Sequence, residues 1–168
     1  MVDGDYGIYR TQKDSTTGDT EIIYTDGYLK MVKAADTVTV GGNLTVCTSK
    51  DTEGYLTAGT LVLKGNFRQI YGGSSYGFCA TGTHTTILAG EGTQELSFDR
   101  SASGFNELKT AEGYQGKIAL KNNIKFNKLG SDLAVTGENL YIGDSKLNGH
   151  KLSVTGNATM YADVDLQG

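Results

Sequence analysis

The sequence predicts an all-β protein, a parallel right-handed β-solenoid, on three observations. A phrase of apolar strand, glycine-bearing corner and second apolar strand recurs. It reads TVTVGGNLTV at Thr37–Val46, TLVLKGNF at Thr60–Phe67, LAVTGENLYI at Leu133–Ile142 and KLSVTGNATM at Lys151–Met160. Units of this kind bury their apolar faces against neighbouring units, because each alone lacks a core. Composition is the second observation: 24 glycines and no proline in 168 residues, with abundant Thr, Val, Leu and Tyr, suit tightly turned β-structure. Third, apolar residues alternate with a period of two and no segment keeps a convincing helical period, the mark of strands with one buried face.

Taken along the chain, the alternation predicts strands near Gly7–Gln12, Glu21–Thr25, Tyr28–Val32, Thr37–Val40 and Asn43–Cys47. Further strands follow at Tyr55–Ala58, Thr60–Lys64, Phe67–Ile70, Phe78–Ala80, His84–Ala89 and Gln94–Phe98, then at Glu107–Thr110, Lys117–Leu120 and Ile124–Phe126. Four more lie between Leu133 and Leu166. A helical turn competes only at Phe105–Glu112. The polar stretch Asp14–Asp19 reads as a loop projecting from the rod.

Corners at Gly41-Gly42, Lys64-Gly65-Asn66, Gly137-Glu138 and Gly156-Asn157 place glycine or asparagine where a positive φ is easiest. The same apolar periodicity resumes after each corner, so the chain is expected to bend onto a new face and not to fold back as a hairpin. Gly42 and Gly65 are 23 residues apart, and Gly137 and Gly156 are 19 apart, each suiting one coil. GYLKM at Gly27–Met31 and GYLTA at Gly54–Ala58 echo one another ahead of the first two corners. Division by 20–25 residues gives about seven coils and a rod on the order of 35 Å long. The apolar interior is assigned to Leu44, Val46, Leu61, Leu63, Val135, Leu140, Leu152 and Val154. A β-sandwich is the alternative, since many short strands with regular turns fit that class too; the repeated corner phrase favours the solenoid.

The chain reads as a single domain over 1–168, a segment of a longer repetitive array whose ends look cut. Open solenoid ends carry unpaired backbone groups, so end-to-end self-association is an expected partner mode. The net charge is −4 with both signs interspersed, and no Lys/Arg cluster is present to neutralise a run of phosphates, so nucleic acid is not an expected partner. No apolar run reaches the roughly 18 residues of a membrane span, so no membrane insertion is expected. The opening MVDGDYGIYR lacks the pattern of a signal peptide. Cys47 and Cys79, in LTVCTS and YGFCATG, read as buried inert thiols; a disulfide would require Cα atoms within about 7 Å. Their spacing matches no zinc pattern.

The run GYLTAGTLVLKGNF, followed by FCATGTHTTILAGEGTQELSF and GFNELKT, resembles a repeated module of very large surface-exposed proteins of Clostridia-type Gram-positive bacteria. The resemblance covers Gly27 to Thr110 well and the final third more loosely. Thr85-Thr86 stands where those modules commonly carry Lys-Val, and Cys47 and Cys79 stand at positions usually small or apolar. The resemblance implies an extracellular, cell-surface setting and a fragment taken from within an array. It brings no activity with it.

Chemistry-bearing residues are sparse. His84 and His150 lack Ser-Asp or Cys companions and read as surface or turn histidines. The carboxylate pairs Asp3/Asp5, Glu91/Glu95 and Asp163/Asp165 are the candidates for a polysaccharide lyase or hydrolase, because residues two apart on a strand share a face. A solvated polar face explains them equally well, and none has calcium-loop spacing. Tyr71 and Tyr76 flank Gly-Gly-Ser-Ser and could stack on a sugar, with Arg68 and Gln69 adding hydrogen bonds. These four form the candidate glycan site. No catalytic residue, metal or cofactor is assigned. The expected function is a non-enzymatic structural or adhesive module, a stiff extracellular spacer that holds something away from a bacterial cell surface. Cell-wall or host polysaccharide is the candidate partner. The alternatives are a carbohydrate-binding module using exposed tyrosines and a lyase- or hydrolase-like β-helix.

Overall fold

The computed structural model describes residues 1–143, 145–160 and 164–165; the side chains of residues 138–141, 160, 164 and 165 lie outside that description. Leu140, expected in the interior, and the pair Asp163/Asp165 fall on these positions. The described residues form strands and turns, with no helix. The chain opens with β1 (Tyr6–Ile8), β2 (Arg10–Lys13) and β3 (Thr20–Ile23), then β4 (Thr37–Val40) and β5 (Leu44–Thr48). It continues through β6 (Thr60–Leu63), β7 (Phe67–Tyr71), β8 (Thr85–Leu88), β9 (Thr93–Phe98), β10 (Phe105–Thr110) and β11 (Lys117–Leu120). Longer strands follow, β12 (Asn123–Leu129) and β13 (Leu133–Gly143), then β14 (Ser145–Lys146), β15 (Leu152–Met160) and β16 (Val164–Asp165).

Nearly all pairings are parallel, which makes the protein a β-solenoid and excludes the sandwich, whose sheets are antiparallel. One face stacks β4, β6, β8, β10 and the end of β12. A second stacks β1, β5, β7, β9, β11, β13 and β15. The third side is thin at first, with single bridges Met31–Leu56 and Leu56–Ala80 where strands were expected. It becomes a true ladder where β12 meets the end of β13. The solenoid has about five turns, fewer than the seven expected. Two features consume the difference. The antiparallel hairpin β2–β3 is excluded from the stack, with Asp14–Asp19 at its tip. The coil joining Phe67 to its partner Leu96 is also longer than the assumed repeat.

Inward residues register coil on coil. Val40, Leu63 and Leu88 stack on the first face, and Leu44, Phe67 and Leu96 on the second. Leu44, Val46, Leu61, Leu63 and Val135 are buried as expected, while Leu152 and Val154 are only partly covered. Between the faces lies an aromatic knot. The rings of Phe67, Phe78, Phe98 and Phe105 are fully buried, with centroids 4.9 to 6.3 Å apart, mostly edge-on or tilted. That geometry suits the ring quadrupoles. Phe105 pairs in β10, so the competing helical turn is absent.

The corners work by a different physical means from the one expected. Gly41, Gly42, Gly65 and Gly137 do not adopt a positive φ; of the corner glycines only Gly156 does, at 120°. Gly65 is needed for closeness, because a Cβ there would collide with the backbone carbonyl of Gly42 in the coil below. The asparagines that follow complete the joint. The Asn43 N–H donates to Asp5 Oδ1 (2.6 Å), the Asn66 N–H to Asn43 Oδ1 (2.9 Å) and the Glu95 N–H to Asn66 Oδ1 (2.8 Å). Positive φ is used at another corner, at Gly59 (82°) and Gly82 (63°). The recurrent phrase also changes place. In Thr37–Val46 and Thr60–Phe67 its glycine precedes the second face, whereas Gly137 and Gly156 lie within that face's ladder, in the column of Leu120.

Two outcomes are expected from this packing. Phe105→Ala removes a ring from the aromatic knot and lowers unfolding free energy by about 4 kcal/mol in urea titrations. Gly65→Ala forces the corner apart and costs at least about 2 kcal/mol, although alanine is ordinarily the better tolerated residue.

Candidate functional site

The four residues expected to meet a glycan divide between the inside and the outside of β7. Phe67 and Gln69 point inward and Arg68 points outward, as strand alternation requires. Gln69 is 0% exposed, with its Nε2 donating to the Ile70 carbonyl (2.9 Å), so it has no access to a ligand. Arg68 is exposed. Tyr71 and Tyr76 are exposed at 45% and 39%. The Tyr71 ring stacks not on Tyr76 but under the Arg100 guanidinium, 3.9 Å from the ring centre, and its N–H donates to Asp99 Oδ2 (3.0 Å). A cation on an aromatic face stabilises both side chains and covers one side of the ring. Tyr76 is tied by its backbone: its carbonyl accepts from the Thr52 N–H (3.0 Å) and Thr52 Oγ1 (2.8 Å).

Two members of this corner escaped sequence reasoning. Tyr24, exposed beyond β3, has its Cβ against Gly72, the residue after Tyr71, despite the distance in sequence. Arg100 comes from the next coil. The signal for both was the coil period, but the inserted hairpin hides the phase of Tyr24, and Arg100 follows the longest coil.

A second feature is a polar groove of about 350 Å³ on the outer surface of the second face, near Asn43, Thr45, Asn66, Arg68, Ser97 and Lys121. Glu95 borders it and forms an ion pair with Lys121 (2.9 Å). Arg68 has no carboxylate within 4 Å among the described residues. A further groove of about 660 Å³ continues from Lys121 past Ala119, Thr136 and Thr155.

The other candidates have structural roles. Asp5 accepts at the first corner. Glu107 joins neighbouring coils through Lys128 (2.8 Å). Among the described residues no group of three or more His, Cys, Asp or Glu could hold a metal ion. Cys47 and Cys79 are free; Cys47 is buried as expected, whereas Cys79 is only partly covered, and burial pushes both thiols up, keeping them protonated at neutral pH. His150 occupies the expected turn, after Asn148 (φ 53°) and Gly149 (φ 80°), beside Asp132. His84 overturns the expectation of a surface or turn histidine: it is 0% exposed, and neither ring nitrogen has a hydrogen-bond partner in the protein. The residue opens the inward column that continues with Thr86 and Leu88, so the pleat directs it to the interior. Burial lowers its pKa to about 4.

Comparison with protein-family models, curated proteins and solved structures finds no match to this chain.

His84 sets an acid limit on stability. Its folded pKa lies below the unfolded value of 6.5, so the unfolded chain binds more protons between pH 6.5 and 4. Stability is therefore complete above pH 6.5 and falls by roughly 3 kcal/mol as pH drops to 4 and below. His84→Leu removes this component of the pH dependence while leaving stability at pH 7 within about 1 kcal/mol of the parent, as urea midpoints at both pH values will show. In thiol titrations of the native protein, Cys47 reacts only at the rate of unfolding and Cys79 reacts faster, because Cys47 is the more deeply buried.

Proposed function

We propose that this solenoid is a non-enzymatic structural module, a stiff spacer with an adhesive surface in an extracellular bacterial cell-surface protein. The observation that carries the reading is the locking of coil to coil. Parallel ladders on two faces are joined at the corner by the chain of side-chain bonds from Asp5 through Asn43 and Asn66 to Glu95. On the thin third side, Thr52 and Ser103 bond backbone groups of adjacent coils in place of a ladder, and Asn106, at the start of the first face, donates to the Gly82 and His84 carbonyls of the coil before it. Bending such a rod would break several bonds together. The surface setting rests on the resemblance of Gly27–Thr110 to repeated modules of that kind. End-to-end association belongs to the same reading, because the outer edge of β15 has no strand partner among the described residues.

A second reading, a carbohydrate-binding module, is favoured by the exposed rings of Tyr71 and Tyr76, with Tyr71 held in place by Arg100 and Asp99.

Dyes placed at the two ends of the rod will give one narrow energy-transfer distribution, unchanged by solvent viscosity. A broad or multiple distribution contradicts the spacer. The folded protein, incubated with a panel of soluble and insoluble polysaccharides, releases no sugar; release would make it an enzyme. Tyr71→Ala decides the second reading: if glycan retention exists and survives this change at unaltered stability, the tyrosine corner is not the site.

A further inference from the structure

We propose that the outer surface of the second face is a binding cleft for an acidic polysaccharide carrying one carboxylate on every second sugar. The inference stands apart from both the spacer reading and the tyrosine corner. It begins with the outward column of that face. Thr45 pairs with Arg68 and Arg68 with Ser97. Lys121 follows in the next coil, its N–H bonded to the Leu96 carbonyl (3.0 Å). Arg68 and Lys121 are thus two strand spacings apart, about 9.6 Å along the rod. That distance is close to the length of one disaccharide in an extended chain of equatorially β-linked sugars. A polymer lying along the axis would present a carboxylate to each cation in turn.

The shape of the surface fits the same ligand. The grooves of about 350 and 660 Å³ share Lys121 and so run on from one another. Together they cross β5, β7, β9, β11, β13 and β15, about 24 Å of axial length, or room for two such disaccharides. Short side chains floor the cleft: Thr45, Ser97, Ala119, Thr136 and Thr155 leave depth, and the hydroxyls of the four Thr and Ser residues match those of sugars. Arg68 is free of any carboxylate partner among the described residues, so its guanidinium is available for a two-bond fork with a ligand carboxylate.

Glu95 supplies the discrimination. It stands on β9, the coil between Arg68 and Lys121, and neutralises part of the Lys121 charge. It lies one outward position from Ser97, the residue midway between the two cations, so a polymer with a carboxylate on every sugar would bring an extra negative charge toward Glu95, and like charges disfavour it. A neutral chain gains neither cation. The sugar-acid spacing, not overall charge, decides the fit.

The test is calorimetric titration of the folded protein at low salt with size-matched oligosaccharides: hyaluronan, whose glucuronate falls on alternate sugars, β-1,4-linked polyglucuronate, with a carboxylate on every sugar, and neutral chitin. Hyaluronan is expected to bind at least about tenfold more tightly than the other two. Arg68→Gln and Lys121→Gln each weaken it about tenfold, with unchanged urea midpoints because both side chains are exposed. Glu95→Gln raises the affinity for the β-1,4-linked polyglucuronate, and Tyr71→Ala changes nothing. The proposal is overturned by no measurable hyaluronan binding, by equal binding of the neutral chain, or by binding that survives the Arg68/Lys121 double variant. Loss through Tyr71→Ala alone would move the glycan to the tyrosine corner and overturn the cleft as well.

Discussion

Everything in this structure answers to one distance, the spacing at which parallel strands bond. Coils stacked about 4.8 Å apart bring the backbone of each corner onto the backbone of the corner below. A side chain at such a point must vanish or supply the bond that the ladder loses by bending. Gly42 and Gly65 take the first course, and Asn43 and Asn66 take the second. Where the pattern lapses at Gly90, the buried Gln94 takes over, accepting from the Gly90 N–H (2.8 Å) and donating to the Leu63 and Gly65 carbonyls (3.0 and 2.7 Å). Orphaned backbone groups in a buried bend are costly, so these side chains are part of the ladder in all but name.

The same spacing governs the surface. Outward residues in register stand in columns, so charges and hydroxyls chosen singly along the sequence become linear arrays along the rod. Glu107 meets Lys128 in this way, and Arg68, Ser97 and Lys121 line up on another face. A solenoid therefore turns a one-residue choice into an element of a periodic surface, suited to periodic ligands. The interior obeys the same logic, and a burden comes with it. His84 occupies an inward column with no partner for its ring, and burial keeps it neutral. The fold accepts a residue there that acid converts into a buried charge.

The fold class and two of the coil lengths were legible in the sequence, while the number of coils was not. The 23-residue interval reappears between Asn43 and Asn66, and the 19-residue interval between Asp132 and Lys151. Alternation alone placed Leu44, Leu61 and Leu63 inside. It should also have placed Gln69 inside, two residues from Phe67, but chemical type outweighed position in that assignment. The candidate site was half legible: Arg68, Tyr71 and Tyr76 are exposed, while Tyr24 and Arg100 come from other coils whose phase is displaced by the hairpin and by a long coil.

Composition and period determined that this chain stacks strands in parallel coils, because only stacking gives repeated half-apolar strands a common core. The tertiary structure decided which corner each phrase occupies. The phrase of Thr37–Val46 leads into the second face, while that of Leu133–Ile142 starts on it and passes after its glycine to the third side, since coils shorten toward the C-terminal part and the repeat slips against the cross-section. Only stacking could decide the rest: which residues share a column, and so which charges stand two coils apart in one groove. Those relations link positions 17 to 29 residues apart from one coil to the next, and the intervening lengths vary from coil to coil.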